Sequence, residues 1–378
     1  MQPSPRDLDV CLLADGIDPC TIGGVSRFAT DLAARLPELA FGFSPSTGEL
    51  PPARIYHALT PQAAAGAGAA VRAAGRPLLL TCHAMSDAWR PAGVGDFAFD
   101  ASHGGGAGGN DDSGHGNGHD DDWQDGDDHD HGKGNDKPSS LARERHGYAA
   151  ADLITAVSRA VAGSHVAAGA PADRLLVLPN GAPQPVAATA PVAEPVVGFV
   201  GRIARVKALP RLLAAMRLVR TARPDARLVV VGPAEASIGY QRRLARVAHQ
   251  PGLRGAVSFV GPQRAERWYP RFACLALASE SEGMPLALLE AMAHGVPCVA
   301  PDVGGVREAL GDAGVVVAPR DATALAAGIL RVLDDAGEAA RLGAAGRARA
   351  ARWTAADAAA AYAALYAQLG GPCRTSCS

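Results

Sequence analysis

Long apolar runs are missing from this sequence: no stretch of about eighteen such residues occurs, the length a bilayer-spanning helix needs. The opening MQPSPRDLDVCLLAD also lacks the basic start and extended apolar core of a secretory leader. A cytoplasmic protein is expected, with peripheral contact at the inner face of a membrane left open. Charge of one sign is missing too. The 36 basic and 38 acidic side chains leave a formal net charge of −2, so the footprint of a nucleic-acid binder is absent and no nucleic-acid partner is expected. Seven cysteines (Cys11, Cys20, Cys82, Cys274, Cys298, Cys373, Cys377) are too few and scattered for a disulfide scaffold, and several fall in predicted strands as reduced core thiols. Nor does G-x-G-x-x-G follow the first strand, which disfavours a nicotinamide-dependent oxidoreductase.

What is present is an alternation of short apolar runs and helical patterns over 378 residues, enough for two α/β domains with full cores. DVCLLA (9–14) is a first strand, and Gly23-Gly24-Val25 opens a helix to about Leu36. Paired glycines let backbone N–H groups approach a phosphate closely, and serve equally as a simple tight turn. A weak strand near Phe41, a clearer one at 54–59, a helix at 61–74 and PLLLTC (77–82) follow, with His83 at the carboxyl end of the last. Open α/β sheets meet their ligands at that end. From about 103 to 137 the chain is Gly, Asp and His with almost no apolar side chain, so a disordered insertion is predicted. Its five histidines lack zinc-site spacing, and no metal or other cofactor is expected.

Order is predicted to resume at Ser139: a helix, a strand at 153–157, a helix capped by Ser158, and a strand at 174–178 ending in Pro179-Asn180-Gly181. A Pro/Ala-rich linker leads to VVGFVG (196–201), then to Arg202 and Lys207 before a helix at 208–221. A guanidinium and an ammonium at a strand end suit phosphate, while Arg205 is a competing cation. RLVVVG (227–232) and AVSFVG (256–261) are further strands.

The stretch SESEGMPLALLEAMAHGVPCVAPDVGG (279–305) parses as loop, helix, turn and strand, after the strand ACLALA (273–278). Pro285 stands where a first helical residue would be, Leu286, Leu289 and Met292 make an apolar stripe, and Gly295 with Pro297 ends the helix. Glu282 lies in the loop and Glu290 about one and a half turns into the helix. A helix start at a parallel strand's carboxyl end is an anion site, and flanking carboxylates accept hydrogen bonds from sugar hydroxyls. The same acids also suit a helix-start acid and an exposed helix residue.

Glu282 and Glu290, with seven residues between them and followed by AMAHGVPCVA and GG, resemble the E-x7-E signature of family 4 glycosyltransferases. The resemblance implies a GT-B fold: an acceptor-side Rossmann-like domain over 1–182, a linker over 183–195, a nucleotide-sugar domain over 196–352, a helix over 353–369 crossing back to the first domain, and a flexible tail over 370–378. It implies a retaining transferase that moves a sugar from a nucleotide diphosphate sugar, UDP or GDP, to a glycan, lipid-linked or small-molecule hydroxyl in surface-glycan, polysaccharide or glycolipid synthesis. Glu282, His83, Arg202 and Lys207 become the expected catalytic residues. Gly23, Gly24, Arg202, Lys207, Gly283, Met284, Pro285, Leu286 and Glu290 become the expected donor-binding residues, with Glu282 toward the sugar and Glu290 toward the ribose. A GT-B-like protein that binds without turnover is the rival reading.

Overall fold

The structure is a computed structural model that describes residues 8–14, 24–86, 139–183 and 194–370. Among these residues the strands form two six-stranded parallel sheets. The first holds β1 (Leu8–Leu13), β2 (Phe41–Ser44), β3 (Ala53–Ala58), β4 (Leu78–Cys82), β5 (Leu153–Ala156) and β6 (Leu175–Val177). Its helices are α1 (Gly24–Arg35), α2 (Pro61–Ala73), α3 (Ser140–Ala150) and α4 (Arg159–Ala168). The second holds β7 (Val196–Val200), β8 (Arg227–Val231), β9 (Val257–Gly261), β10 (Cys274–Ala276), β11 (Cys298–Pro301) and β12 (Val315–Val317). With it come α5 (Leu209–Ala222), α6 (Ile238–Ala248), α7 (Leu286–Ala293), α8 (Val306–Leu310), α9 (Ala322–Asp334), α10 (Ala336–Ala350) and α11 (Ala355–Gly370).

Local chemistry accounts for most boundaries. Thr60 caps α2 by accepting from the Ala63 amide, with Pro61 in its first turn, and Ser158 caps α4 through the Val161 amide. All five residues of β4 are buried, as expected of a parallel strand covered on both faces. The sequence reading passed over α6, whose three arginines, Arg242, Arg243 and Arg246, leave only a short apolar stripe. The strand expected at 273–278 contracts to Cys274–Ala276.

Strand order decides where a site can be. The second sheet runs β12-β11-β10-β7-β8-β9, so the chain reverses direction between β7 and β10. The first runs β2-β1-β3-β4-β5-β6 and reverses between β1 and β3. Crevices outside the carboxyl ends of strands at such reversals are where doubly wound sheets bind ligands. The loops after β7 and β10 carry Arg202 to Lys207 and Ser279 to Pro285.

α11 belongs in space to the first sheet although it follows the second in sequence. Tyr362 and Tyr366 pack with Val10, Leu12, Ile55 and Leu79, and the Tyr366 hydroxyl lies 2.7 Å from His57 Nδ1. The chain crosses between the halves at Ala182, bridged to Thr354, beside Gly181. A Cβ on Gly181 would come within 2.3 Å of Ala355 Cα, so only glycine fits this crossing.

Candidate functional site

Lys207 ends a 3-10 turn, Arg205–Lys207, that bridges β7 and α5. Its Nζ donates to Glu282 Oε1 at 2.7 Å, and Ser279 Oγ donates to the same oxygen at 2.7 Å. Glu282 is 7% exposed and Lys207 18%, so the pair is largely shielded from water, where charge attraction is stronger. The loop after β10 thus folds a carboxylate over Lys207. Arg202 lies apart, paired with Glu235 from the loop after β8. The two cations therefore do not share one protein partner.

The segment carrying Glu282, Gly283 and Met284 is held from both sides. From the first half, Ser158 Oγ donates to the Gly283 carbonyl at 2.9 Å and Asn180 Nδ2 to the Met284 carbonyl at 3.0 Å. A Cβ on Gly283 would stand 1.9 Å from the His83 carbonyl oxygen, so the loops close backbone to backbone. From the second half, the Gly305 amide donates to the Glu282 carbonyl at 3.1 Å. Asn180, expected only to follow the end of the strand at 174–178, thus helps tie the two halves together. Pro285, expected as the first helical residue, instead caps α7 in an extended conformation, and the helix begins one residue later at Leu286.

His83 follows β4 with its ring edge-on to Phe28, centroids 4.5 Å apart. Its Nε2 is shut from solvent and has no hydrogen-bond partner among the described residues. Burial pulls its pKa down to about 3, so the ring is a neutral imidazole at neutral pH. Such a ring exchanges hydrogen bonds with a ligand but offers no fixed positive charge.

Glu290 departs furthest from what its spacing suggested. It is 5% exposed. Tyr269, in the turn Tyr269–Arg271 before β10, donates to Oε2 at 2.5 Å. Arg27 of α1, from the other half, places Nη1 3.1 Å from Oε1, while its Nη2 holds Glu266 at 2.5 Å. Burial pushes the Glu290 carboxyl above its ordinary range, and Arg27 and the Tyr269 hydrogen bond oppose that. Arg27, Glu266 and Tyr269 escaped the sequence reading: an arginine on an amphipathic helix looks like a solvated surface charge, and the other two sit in turns without a motif. Their one signal was Arg27's place four residues after Gly23. Gly23 lies outside the described residues, and Gly24 is the first residue of α1. The insertion expected at 103–137 and residues 371–378 of the expected tail also lie outside them, while Gly370, expected in the tail, ends α11.

Among the described residues no cluster of three or more His, Cys, Asp or Glu could hold a metal ion, and no helix is long and apolar enough to cross a membrane. The arrangement offers charge donors, hydroxyl acceptors and a neutral imidazole where loops and helices of the two halves meet.

Comparison with known proteins gives a consistent picture. Residues 7–181 match the glycosyl transferase 4-like domain and residues 194–335 the glycosyl transferases group 1 domain. The D-inositol 3-phosphate glycosyltransferase of Xylanimonas cellulosilytica is 35% identical over 248 residues, covering 60% of this chain and 59% of that protein. That of Gordonia bronchialis is 38% identical over 134 residues, 33% of this chain and 29% of that one. The chain thus spans about three fifths or less of the length of these relatives. Among solved structures, Anabaena HepE in complex with UDP-glucose superposes with a TM-score of 0.74 at 18% identity, over 96% of this chain and 100% of that one. Sucrose-phosphate synthase from Thermosynechococcus elongatus gives 0.72 at 21% identity, over 96% and 99%. At such identities the likeness shows the fold, which is GT-B.

Proposed function

The chain belongs to the family 4 glycosyltransferases, and from that premise we propose that it transfers a glycosyl group, with retention, from a nucleotide diphosphate sugar to a hydroxyl acceptor. The observation that carries this reading is the pairing of Lys207 with Glu282 at the β7/β10 reversal, where a ligand would lie across the carboxyl ends of both strands, with Glu290 following on α7. UDP is the favoured carrier, because the HepE structure holds UDP-glucose. The acceptor is a glycan, a lipid-linked or a small-molecule hydroxyl, reached from the first half, in cell-surface glycan, polysaccharide or glycolipid synthesis; the place of action is cytoplasmic, with peripheral contact at the inner face of a membrane.

In the reaction the bond from the anomeric carbon to the β-phosphate oxygen breaks as the acceptor oxygen bonds to the same face of that carbon. The acceptor's proton passes to the departing diphosphate. Charge grows on that diphosphate, and preorganised donors aimed at developing charge are the largest usual term. Lys207, Arg202, the amides of the Gly23-Gly24 segment and those at the start of α7 from Leu286 onward supply them, beside Pro285, which has no N–H and only shapes the turn, and the Gly283 and Met284 backbone. Glu282 and His83 face the reacting sugar, and Glu290 accepts from the ribose. With these cations in place we propose turnover without a metal ion.

A thermal-shift panel of UDP, GDP and ADP sugars, followed by turnover of the best binder with and without EDTA, tests the reading, since ligand binding raises native-state stability by mass action. A shift with a UDP sugar and EDTA-resistant release of UDP is expected. No shift with any nucleotide sugar would overturn the proposal, and loss of turnover in EDTA would overturn its metal independence.

A further inference from the structure

Glu290 is a buried carboxylate whose two oxygens are each met by one protein donor, Oε2 by the Tyr269 hydroxyl and Oε1 by Arg27 Nη1. A carboxylate offers about four lone-pair sites, so one site on each oxygen stays available, the number that a vicinal pair of hydroxyls needs. Arg27 is the unusual member. It comes from α1 of the first half, in the first turn after the Gly23-Gly24 segment, and forks between Glu290 and Glu266 of the second half.

We propose that Arg27 is a positioning residue of the donor site: reaching across from the first half, its guanidinium holds the Glu290 carboxylate charged and oriented to accept the two ribose hydroxyls. The proposal rests on the reading of Glu290 as the ribose acceptor. It makes the nucleotide site complete only when α1 lies against the second half, so that both halves bind the carrier. Lysine would supply the charge but not the planar fork between two carboxylates.

The groups facing Glu290 set the expected pH behaviour. Arg27 and Asp31 approach from α1, Glu266 and Tyr269 from the turns that follow β9, and His294 at the end of α7 lies tilted against Tyr269 with ring centroids 5.1 Å apart. Burial lowers the His294 pKa, so that ring is neutral near pH 7 and adds no charge. Arg27 is thus the cation of the group. Burial already disfavours the ionised carboxylate, and an adjacent opposite charge typically lowers a carboxyl pKa by about 1–3 units. Without Arg27, Glu290 takes up its proton at higher pH, and a protonated carboxyl no longer accepts two hydroxyls.

The experiment is calorimetric binding of UDP, with GDP alongside, to the full chain from about pH 8 down to about pH 5, reading each variant as a ratio to wild type so that the ligand's own titration cancels. For Arg27→Gln the ratio of dissociation constants should climb about tenfold as pH falls, one pKa unit's worth. Arg27→Lys should keep the ratio flat with pH, because the charge remains. Tyr269→Phe removes the other donor and should move the acid limb the same way as Arg27→Gln, so it reads the same limb should Arg27→Gln fold poorly. A pH-independent ratio for both Arg27→Gln and Tyr269→Phe overturns the proposal, since a purely structural role weakens binding equally at every pH. Glu290→Gln separates the two levels. If it binds the nucleotide as wild type does, the donor-site reading of Glu290 fails; if it weakens binding while Arg27→Gln stays flat, only the role of Arg27 fails.

Discussion

Two buried polar clusters lie close together in this molecule, and they are built on opposite principles. Under β3, β4 and β5, His57, Thr81, Thr155, Tyr362 and Tyr366 are all nearly or wholly inaccessible. His57 Nδ1 meets the Tyr366 hydroxyl at 2.7 Å and its Nε2 meets Thr81 Oγ1 at 2.7 Å, while Thr81 and Thr155 lie 2.7 Å apart. Every member is neutral and partnered, and the network fastens α11 to the first sheet. Where the halves meet the members are ions: Lys207 with Glu282 and Arg27 with the buried Glu290, while Arg27 also reaches out to the exposed Glu266. Buried neutral networks are stable because each donor has an acceptor, whereas shielded ion pairs are weak sources of stability, so their placement at a ligand crevice points to chemistry.

The largest expected break between the clusters comes from Lys207→Ala or Arg202→Ala. Either should lower kcat by roughly 10²–10³, the scale for one lost preorganised donor. Thermal denaturation should leave the melting point of Arg202→Ala near that of wild type, while Lys207→Ala, which leaves the shielded Glu282 carboxylate without its cation, should lower it. Near-normal turnover in either variant would remove that cation from the diphosphate site.

Tyr366→Phe should do the reverse. It strands the buried His57 Nδ1 without its partner, a cost of about 1–3 kcal/mol. Urea denaturation should read that loss while kcat per folded molecule stays close to wild type. A fall in kcat at unchanged stability would mean that α11 takes part in the reaction.

The last expected difference is a pH slope, small at neutral pH, where the contribution is intact. Burial lowers the His57 pKa to about 3, against about 6.5 in an unfolded chain. The unfolded state therefore binds the extra proton first. The contribution is intact above about pH 6.5 and is lost as pH falls toward 3, by up to about 1.4 kcal/mol per unit. Denaturant melts at several pH values should give a steeper loss below about pH 6 for wild type than for His57→Gln, which keeps a hydrogen-bonding side chain but does not titrate. Equal slopes would mean that the ring titrates in the native state.

The Ser279 to Gly305 stretch was legible in the sequence because its information is local. Glycine and proline punctuate it, an apolar stripe marks its helix, and both acids sit at fixed spacing in one segment. The alternation of strands and helices, the two-domain division and the position of Lys207 before α5 were readable for the same reason. So was α11 as a helix, since periodicity is a property of neighbouring residues.

What only the tertiary structure decided was who meets whom. Arg27 and Glu290 come from different halves, as do Asn180 and Met284, and Lys207 finds Glu282 only because β7 and β10 are adjacent in the sheet. Spacing along a chain carries no record of sheet order or of the face on which two halves close. A residue's charge state follows from those contacts: Glu290 reads as an exposed helical acid until α7 is buried, and His83 as an ordinary imidazole until Phe28 and the Gly283 loop shut around it. Local sequence set the elements and their chemical inventory; burial and partnership, which convert that inventory into a site, are long-range quantities and exist only once the chain has packed.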